Sequence, residues 1–200
     1  MAIDKTKVGP KFLSTFVETF GLSCDELTYL LSHFEARNLR KKDIYLRAGD
    51  ITNQKAYINK GCTRTYVMDE AGRERILFFS FEDWWIGDFE SYYSGQPGYS
   101  YVQALEDCEL LVISKNDFSK LEREIVKLQQ WYTVKVARSA GAMRNRLAEI
   151  KTSSPEERYL TLIKTQPQIF QRIPLQYIAA YLNIEPQSLS RMRKRLAREN

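Results

Sequence analysis

Between Ile125 and Ile150 one apolar stripe recurs at spacings of three and four residues: Ile125, Leu128, Tyr132, Val136, Ala140, Met143, Leu147 and Ile150. This spacing puts every one of those side chains on one face of an α-helix. Roughly 25 residues at 1.5 Å each make a rod of about 38 Å. Lys127, Lys135, Arg138 and Glu149 fall on its other side. A helix that long outruns the face of a small domain, so part of the stripe needs a second surface to cover it. Two solutions are open: packing across a sheet of the same chain, or pairing with a second copy of the helix. The second is expected, with Ile125, Leu128, Tyr132, Val136, Ala140, Met143 and Leu147 along the seam of a homodimer.

What precedes the stripe has two textures. From Phe12 to Ala36 the apolar residues Phe16, Phe20, Leu27, Leu30, Leu31 and Phe34 keep helical spacing, interrupted at Gly21 and Ser23. Two short helices are predicted, the second capped by Ser23 with Glu26 three residues on. From Asn38 onward short β-branched and aromatic runs alternate with turn residues. Strands are predicted at Ile44–Leu46, Ala56–Ile58, Thr63–Met68, Arg73–Ser80, Tyr99–Leu105 and Glu109–Ser114. The pair flanking Asp69-Glu70-Ala71-Gly72 reads as a hairpin. About eight short strands at this pitch predict a small sandwich or barrel.

Charge divides the chain unevenly. The formal net charge is +5, and residues 151–200 hold nine Lys/Arg against four Asp/Glu, leaving 21 of each sign before them. A neutral body with a basic end is the footprint of a chain whose end meets phosphates, although a solvated basic helix has the same composition. Three widely separated cysteines, Cys24, Cys62 and Cys108, suggest reduced thiols, and no CxxC spacing supports a zinc or iron–sulfur site. Met1-Ala2-Ile3-Asp4-Lys5 lacks the apolar core of a signal peptide, and no run of eighteen apolar residues occurs. The expectation is a soluble, cytoplasmic protein with no membrane partner.

The last 30 residues carry the sharpest pattern. Ahead of them Ser154, Pro155 and Glu157 start a helix with a capping box, and Thr152 to Ser154 mark the best boundary in the chain. Ile173 to Leu182 reads as a short helix with Ala179 and Ala180 on one side. Asn183-Ile184-Glu185 is a tight connection, and Pro186 opens a second helix to Leu196. Small alanines let the second helix cross closely, and Ile184, Leu189, Met192 and Leu196 hold it from within. Gln187, Ser188, Ser190, Arg191 and Lys194 then project outward, where they can reach base edges and phosphates in a major groove. An ordinary helical hairpin with a basic rim shows the same spacing.

From about Phe12 to its end the chain resembles the Crp/Fnr family of bacterial regulators. Trp84-Trp85-Ile86-Gly87-Asp88-Phe89-Glu90 through Ala104-Leu105-Glu106-Asp107 is similar to that family's phosphate-binding cassette and following strand, and Pro174 to Lys194 to its helix-turn-helix. The resemblance implies an α+β fold: an N-terminal antiparallel β-roll with flanking helices over residues 1–122, a long dimerisation helix over 123–151, and a small, mostly α, helix-turn-helix domain over 152–200. It implies that Gln187, Ser190 and Arg191 read bases, that Ser188 and Lys194 touch backbone, and that double-stranded DNA and RNA polymerase are partners. The family usually has a β-wing beyond the recognition helix. With the sequence ending at Asn200, the expectation is a short member without the wing, or one in which a hairpin before Ile173 replaces it.

The departures set the expected function. Members that bind cyclic nucleotides carry a glutamate after the cassette glycine and an arginine–serine pair about ten residues on. Here Gly87 is followed by Asp88, and the pair falls on Gly98 and Tyr99. No Lys or Arg lies from Ile76 to Ser114, whereas Glu82, Asp83, Asp88, Glu90, Glu106, Asp107 and Glu109 do. An anionic phosphate there would lack charge-assisted bonds and face repulsion, with only backbone amides to compensate. The roll is therefore expected not to bind cAMP. A pocket for another effector would involve Gly87, Asp88, Phe89, Gly98, Tyr99 and Ser100. Trp84, Trp85, Phe89, Tyr92, Tyr93, Tyr99 and Tyr101 would line a neutral or apolar site, or simply pack the roll.

A metal-dependent β-roll enzyme would want several histidines, and His33 is the only one. No GxSxG elbow appears. An enzyme, a metal and a cofactor are not expected. The expected function is a sequence-specific transcription regulator acting as a homodimer on a palindrome. The alternative is a ligand- or partner-binding module whose basic end does not read sequence.

Overall fold

We describe a computed structural model of the chain, covering Ile3 and residues 8–199. Met1-Ala2 and Asp4-Lys5, part of the stretch read for a leader, lie outside the described residues, as does the side chain of Arg138. Eight strands form the roll: β1 (Glu35–Leu39), β2 (Ile44–Leu46), β3 (Gln54–Lys60), β4 (Thr63–Met68), β5 (Glu74–Ser80), β6 (Trp85–Ile86), β7 (Tyr101–Ala104) and β8 (Cys108–Ser114). They make two four-stranded sheets in the orders β1-β8-β3-β6 and β2-β7-β4-β5. Strands far apart in sequence thus pair antiparallel, β8 with both β1 and β3, and β7 with both β2 and β4.

The register of β3 against β8 explains why β8 reads as a continuous apolar run. Ala56 and Ile58 stand opposite Val112 and Leu110, and with Ile86, Val102, Ala104 and Cys108 they fill one buried cluster. Tyr57, Leu111 and Ile113 alternate onto the other face and join a cluster built from the flanking helices. A strand buried on both faces loses the apolar–polar alternation that marks a half-exposed one.

Those helices are α1 (Pro10–Leu13), continued by one π-helical segment (Ser14–Thr19), α2 (Cys24–Ser32), α4 (Lys115–Glu124) and the start of α5 (Val126–Thr152); a short α3 (Phe89–Ser94) follows β6. Gly21, at φ +64°, breaks the first segment, and the Ser23–Glu26 capping box starts α2 as predicted. Ala36 does not belong to that helix: it pairs with Leu111 in β1. Phe12 is fully buried and meets Phe16, Tyr57 and Phe34 at ring-centre distances of 4.4, 5.0 and 5.7 Å. Phe12→Ala should therefore lower unfolding free energy by about 3–5 kcal/mol, seen as an earlier denaturant midpoint with an unchanged slope.

The predicted hairpin forms between β4 and β5, closed by Asp69 N–H to Arg73 O (3.0 Å) and Gly72 N–H to Asp69 O (2.9 Å). The chain divides into two compact units, residues 1–68 with 77–133, and residues 69–76 with 134–200. In the second, α6 (Pro155–Thr165), α7 (Ile169–Arg172), α8 (Leu175–Tyr181) and α9 (Pro186–Glu199) follow the end of α5. Among the described residues no strand lies between Ser114 and Ile173, where helices α4 to α7 run, so the one hairpin described ahead of Ile173 is β4–β5.

Candidate nucleic-acid interface and effector pocket

In the second unit Leu162, Tyr159, Ile169, Ile173, Ile178, Ala179, Leu182 and Leu189 are buried. Ala179 has no exposed surface, which is what a close crossing of α8 and α9 requires. The connection turns on Asn183, at φ +57°, a left-handed position that asparagine tolerates, and Ile184 N–H closes on Ala179 O at 3.0 Å. Two arginines that sequence reasoning passed over secure the end of α8. Arg146 lies 3.3 Å over the Tyr181 ring and donates to Tyr181 O at 2.9 Å, and Arg158 donates to Leu182 O at 2.9 Å. Both cations neutralise carbonyls left open at a helix C-terminus. Nothing short of the fold would show that Arg146 and Arg158 meet there.

From that base α9 presents Gln187, Arg191 and Lys194, all exposed and spaced four and three residues apart on one face. Ser188 and Ser190 are half-buried, and Arg191 reaches the Ser188 hydroxyl at 3.4 Å. An open groove of about 430 Å³ is lined by Ser188, Arg191, Met192 and Arg195 of α9 and by Ser154, Pro155 and Glu156. Ser154 caps α6, so the groove holds the amide end of an 11-residue helix beside two guanidinium groups. Glu156 pairs with Arg195 across it. The sequence announced the cap, and only the structure sets it beside α9.

In the first unit, Asp88 caps α3. Its Oδ1 accepts from Ser91 N–H at 3.0 Å, while Oδ2 accepts from Tyr99 N–H (3.2 Å), Ser100 N–H (3.3 Å) and the Ser100 hydroxyl (2.7 Å). Burial pushes this carboxyl's pKa up, but the hydrogen bonds from Ser91, Ser100 and Tyr99 outweigh it and leave the group below its ordinary value. Gly98 is enclosed: a Cβ there would sit 2.6 Å from Asp88 Oδ2. Of the predicted pocket residues, Asp88, Gly98, Tyr99 and Ser100 therefore come together with Gly87 beside them, while Phe89 is half-buried on α3. The aromatic set does not form one wall. Trp85 and Tyr92 are drawn toward the helix-side core, Trp84, Tyr93 and Tyr99 are exposed, and Tyr101 stacks on Tyr66 with ring centres 5.0 Å apart. Their alternation along β6 and α3 sends them to different faces.

The stripe on α5 is also divided. Leu128 and Tyr132, expected in the dimer seam, are buried in the roll's helix-side core, with Ile125 packed against them. Beyond them Val136, Ala140, Met143 and Leu147 are exposed. No disulfide and no cluster able to hold a metal occurs among the described residues, and no helix among them is long and apolar enough to cross a membrane.

In the first unit, two sheets rolled over a cassette helix define a cyclic nucleotide-binding-type β-roll. Residues 36–124 match the family model of the cyclic nucleotide-binding domain. Over 95 residues the chain is 30% identical to the cAMP-activated global transcriptional regulator CRP of Salmonella typhimurium, covering 48% of this chain and 45% of that protein. It spans about half the length of the curated relatives it matches. In fold it is similar to FixK2 from Bradyrhizobium japonicum (TM-score 0.71, 15% identity, 83% of this chain and 85% of that one). A transcriptional regulator of the crp/fnr family from Eubacterium rectale gives a TM-score of 0.68 at 17% identity over 92% and 87% of the two chains. The likeness is one of sequence over the β-roll, residues 36–124, and one of fold over most of the chain.

Proposed function

We propose that the chain is a sequence-specific, DNA-binding transcription regulator that acts in the cytoplasm as a homodimer on a palindromic site, and that its roll does not bind cAMP. The observation that carries this reading is the outer face of α9. Gln187, Arg191 and Lys194 stand exposed on one side of a helix anchored by Leu189, and a groove with Arg191, Arg195 and the amide end of α6 lies beside them. Such a face enters a major groove, with the guanidinium and amide groups along the groove meeting phosphates. The exposed Val136, Ala140, Met143 and Leu147 support a two-fold partner, which sets half-sites about 34 Å apart. Against cAMP stand Gly98, where no side chain fits, and Asp88, whose carboxylate already takes the amides and hydroxyl a phosphate would need.

Selection of bound duplexes from a random pool, with and without cAMP, tests the whole reading. A palindrome enriched equally in both arms is expected. Enrichment only with cAMP sinks the statement about the pocket, and no enrichment at all sinks DNA reading. Within a selected site, Arg191→Ala should cost about 1–3 kcal/mol and relax preference at one base pair per half-site. Lys194→Ala should weaken all duplexes alike and reduce the salt slope by about one. Binding titrations at two salt concentrations separate the two effects, and equal loss on every sequence for Arg191→Ala would remove it from base reading.

A further inference from the structure

Lys55 has the least ordinary surroundings of any charged residue in the first unit. It stands on β3 opposite Ile113 and is only 1% exposed. Its Nζ lies 3.0 Å from the ring centre of Phe118 on α4 and 3.5 Å from that of Tyr132 on α5. Tyr92 of α3 and Trp85 of β6 follow at 5.2 and 5.3 Å. No hydrogen-bond partner reaches it. A lysine stem is easily buried, but the amine normally snorkels to water. Here four elements wall it off: the strand before the cassette, the cassette helix, α4 and the root of the long helix.

The groups facing it leave few that change charge near neutral pH. From α4 come Glu122, whose carboxyl is raised by burial, and Lys115, 5.6 Å from the Tyr92 ring centre. From α3 come Tyr92 and Tyr93, and from α5 Tyr132; burial lifts the phenols of Tyr92 and Tyr132 above their ordinary range. The Tyr57 phenol, on β3 itself, is raised in the same way and donates to Asp83 at 2.9 Å. β6 contributes an indole. Burial brings Lys55 down to about 6, with Glu122 pulling upward. Ring faces favour a cation, so they offset part of the desolvation rather than abolish it.

We propose that Lys55 is a protonation-controlled latch at the root of α5: uncharged, it seats in the cage and binds α3, α4 and the first turns of α5 into one packed unit; protonated, it loosens that packing. The proposal rests on the roll alone and stands whether or not α9 reads DNA. The sign follows from linkage. Between the ordinary lysine value of about 10.4 and about 6, the unfolded chain holds a proton that the folded chain does not. Folding therefore weakens as pH falls through that window, and below about 6 the folded chain takes the proton into the cage.

The test follows lysine side-chain carbon resonances of the full chain from about pH 5 to about pH 10, together with the near-ultraviolet circular dichroism of the cage aromatics. One lysine should titrate near pH 6, and the aromatic signal should change with the same midpoint. Lys55→Met, which cannot take a charge, should lose that resonance and hold its high-pH aromatic signal at low pH. Should Lys55→Met not fold, the unmodified chain decides alone, by whether a lysine resonance shares the midpoint of the aromatic signal. If every lysine titrates above about pH 9, or the aromatic transition persists unchanged in Lys55→Met, the latch does not exist.

Discussion

Met143→Glu combined with Leu147→Glu should give a folded chain that sediments only as a 23.4 kDa species and binds its duplex more weakly by a factor on the order of 10²–10⁴. Both residues are exposed on α5, 43% and 57% respectively, so within one chain the change removes little buried surface. In a two-fold seam the same change faces two carboxylates with two more in a setting stripped of water, where neither charge has a partner. The affinity loss is larger than any single contact would give. A dimer's second half-site is bound from a high effective concentration, and a monomer forfeits it. Sedimentation and duplex titration at matched salt read the two effects separately. A variant that stays dimeric would put the seam elsewhere on the molecule.

Asp88→Ala should cost about 2–4 kcal/mol of roll stability, because it strands the amides of Ser91, Tyr99 and Ser100 and the Ser100 hydroxyl in buried surroundings. Asp88→Asn keeps one acceptor and should cost less. The pH dependence adds a second readout. The carboxyl's folded pKa lies below its ordinary value of about 3.9, so its contribution is complete above that value and lost as pH falls through the folded one. Denaturant midpoints near neutral pH and near pH 3 should thus differ less in Asp88→Ala than in the unmodified chain. An equal difference in both would mean that the carboxylate does not hold the cassette.

Much of this was legible in the sequence, wherever a local rule decided the outcome. The Ser23–Glu26 and Ser154–Glu157 boxes, the Asp69–Gly72 hairpin and the α8–α9 pair all depend on residues within four or five positions of one another. What escaped depends on distant pairing. β1 exists because β8 offers it an edge, so Ala36 joined a strand although helical spacing ran through it. β6 is two residues long and has no period of its own. Leu128 and Leu147 share one helical stripe, yet only the fold decides that one is buried in the helix-side core and the other is exposed. At the candidate site, the Gly98 substitution was visible, but the carboxylate filling its place was not. The absence of cations from Ile76 to Ser114 was correct along the chain and still missed Lys55, which β3 carries beneath the cassette helix.

The division of labour along α5 makes spacing itself a constraint on this chain. Tyr132 is anchored in the roll, and Val136 begins the exposed stripe one turn later. A helix advances about 100° per residue, so deleting Lys135 alone would turn everything beyond it by roughly that angle. Met143 and Leu147 would then point a quarter-turn away while every side chain kept its identity. Lineages of this chain should accordingly accept many substitutions between Tyr132 and Leu147, and almost no insertions or deletions.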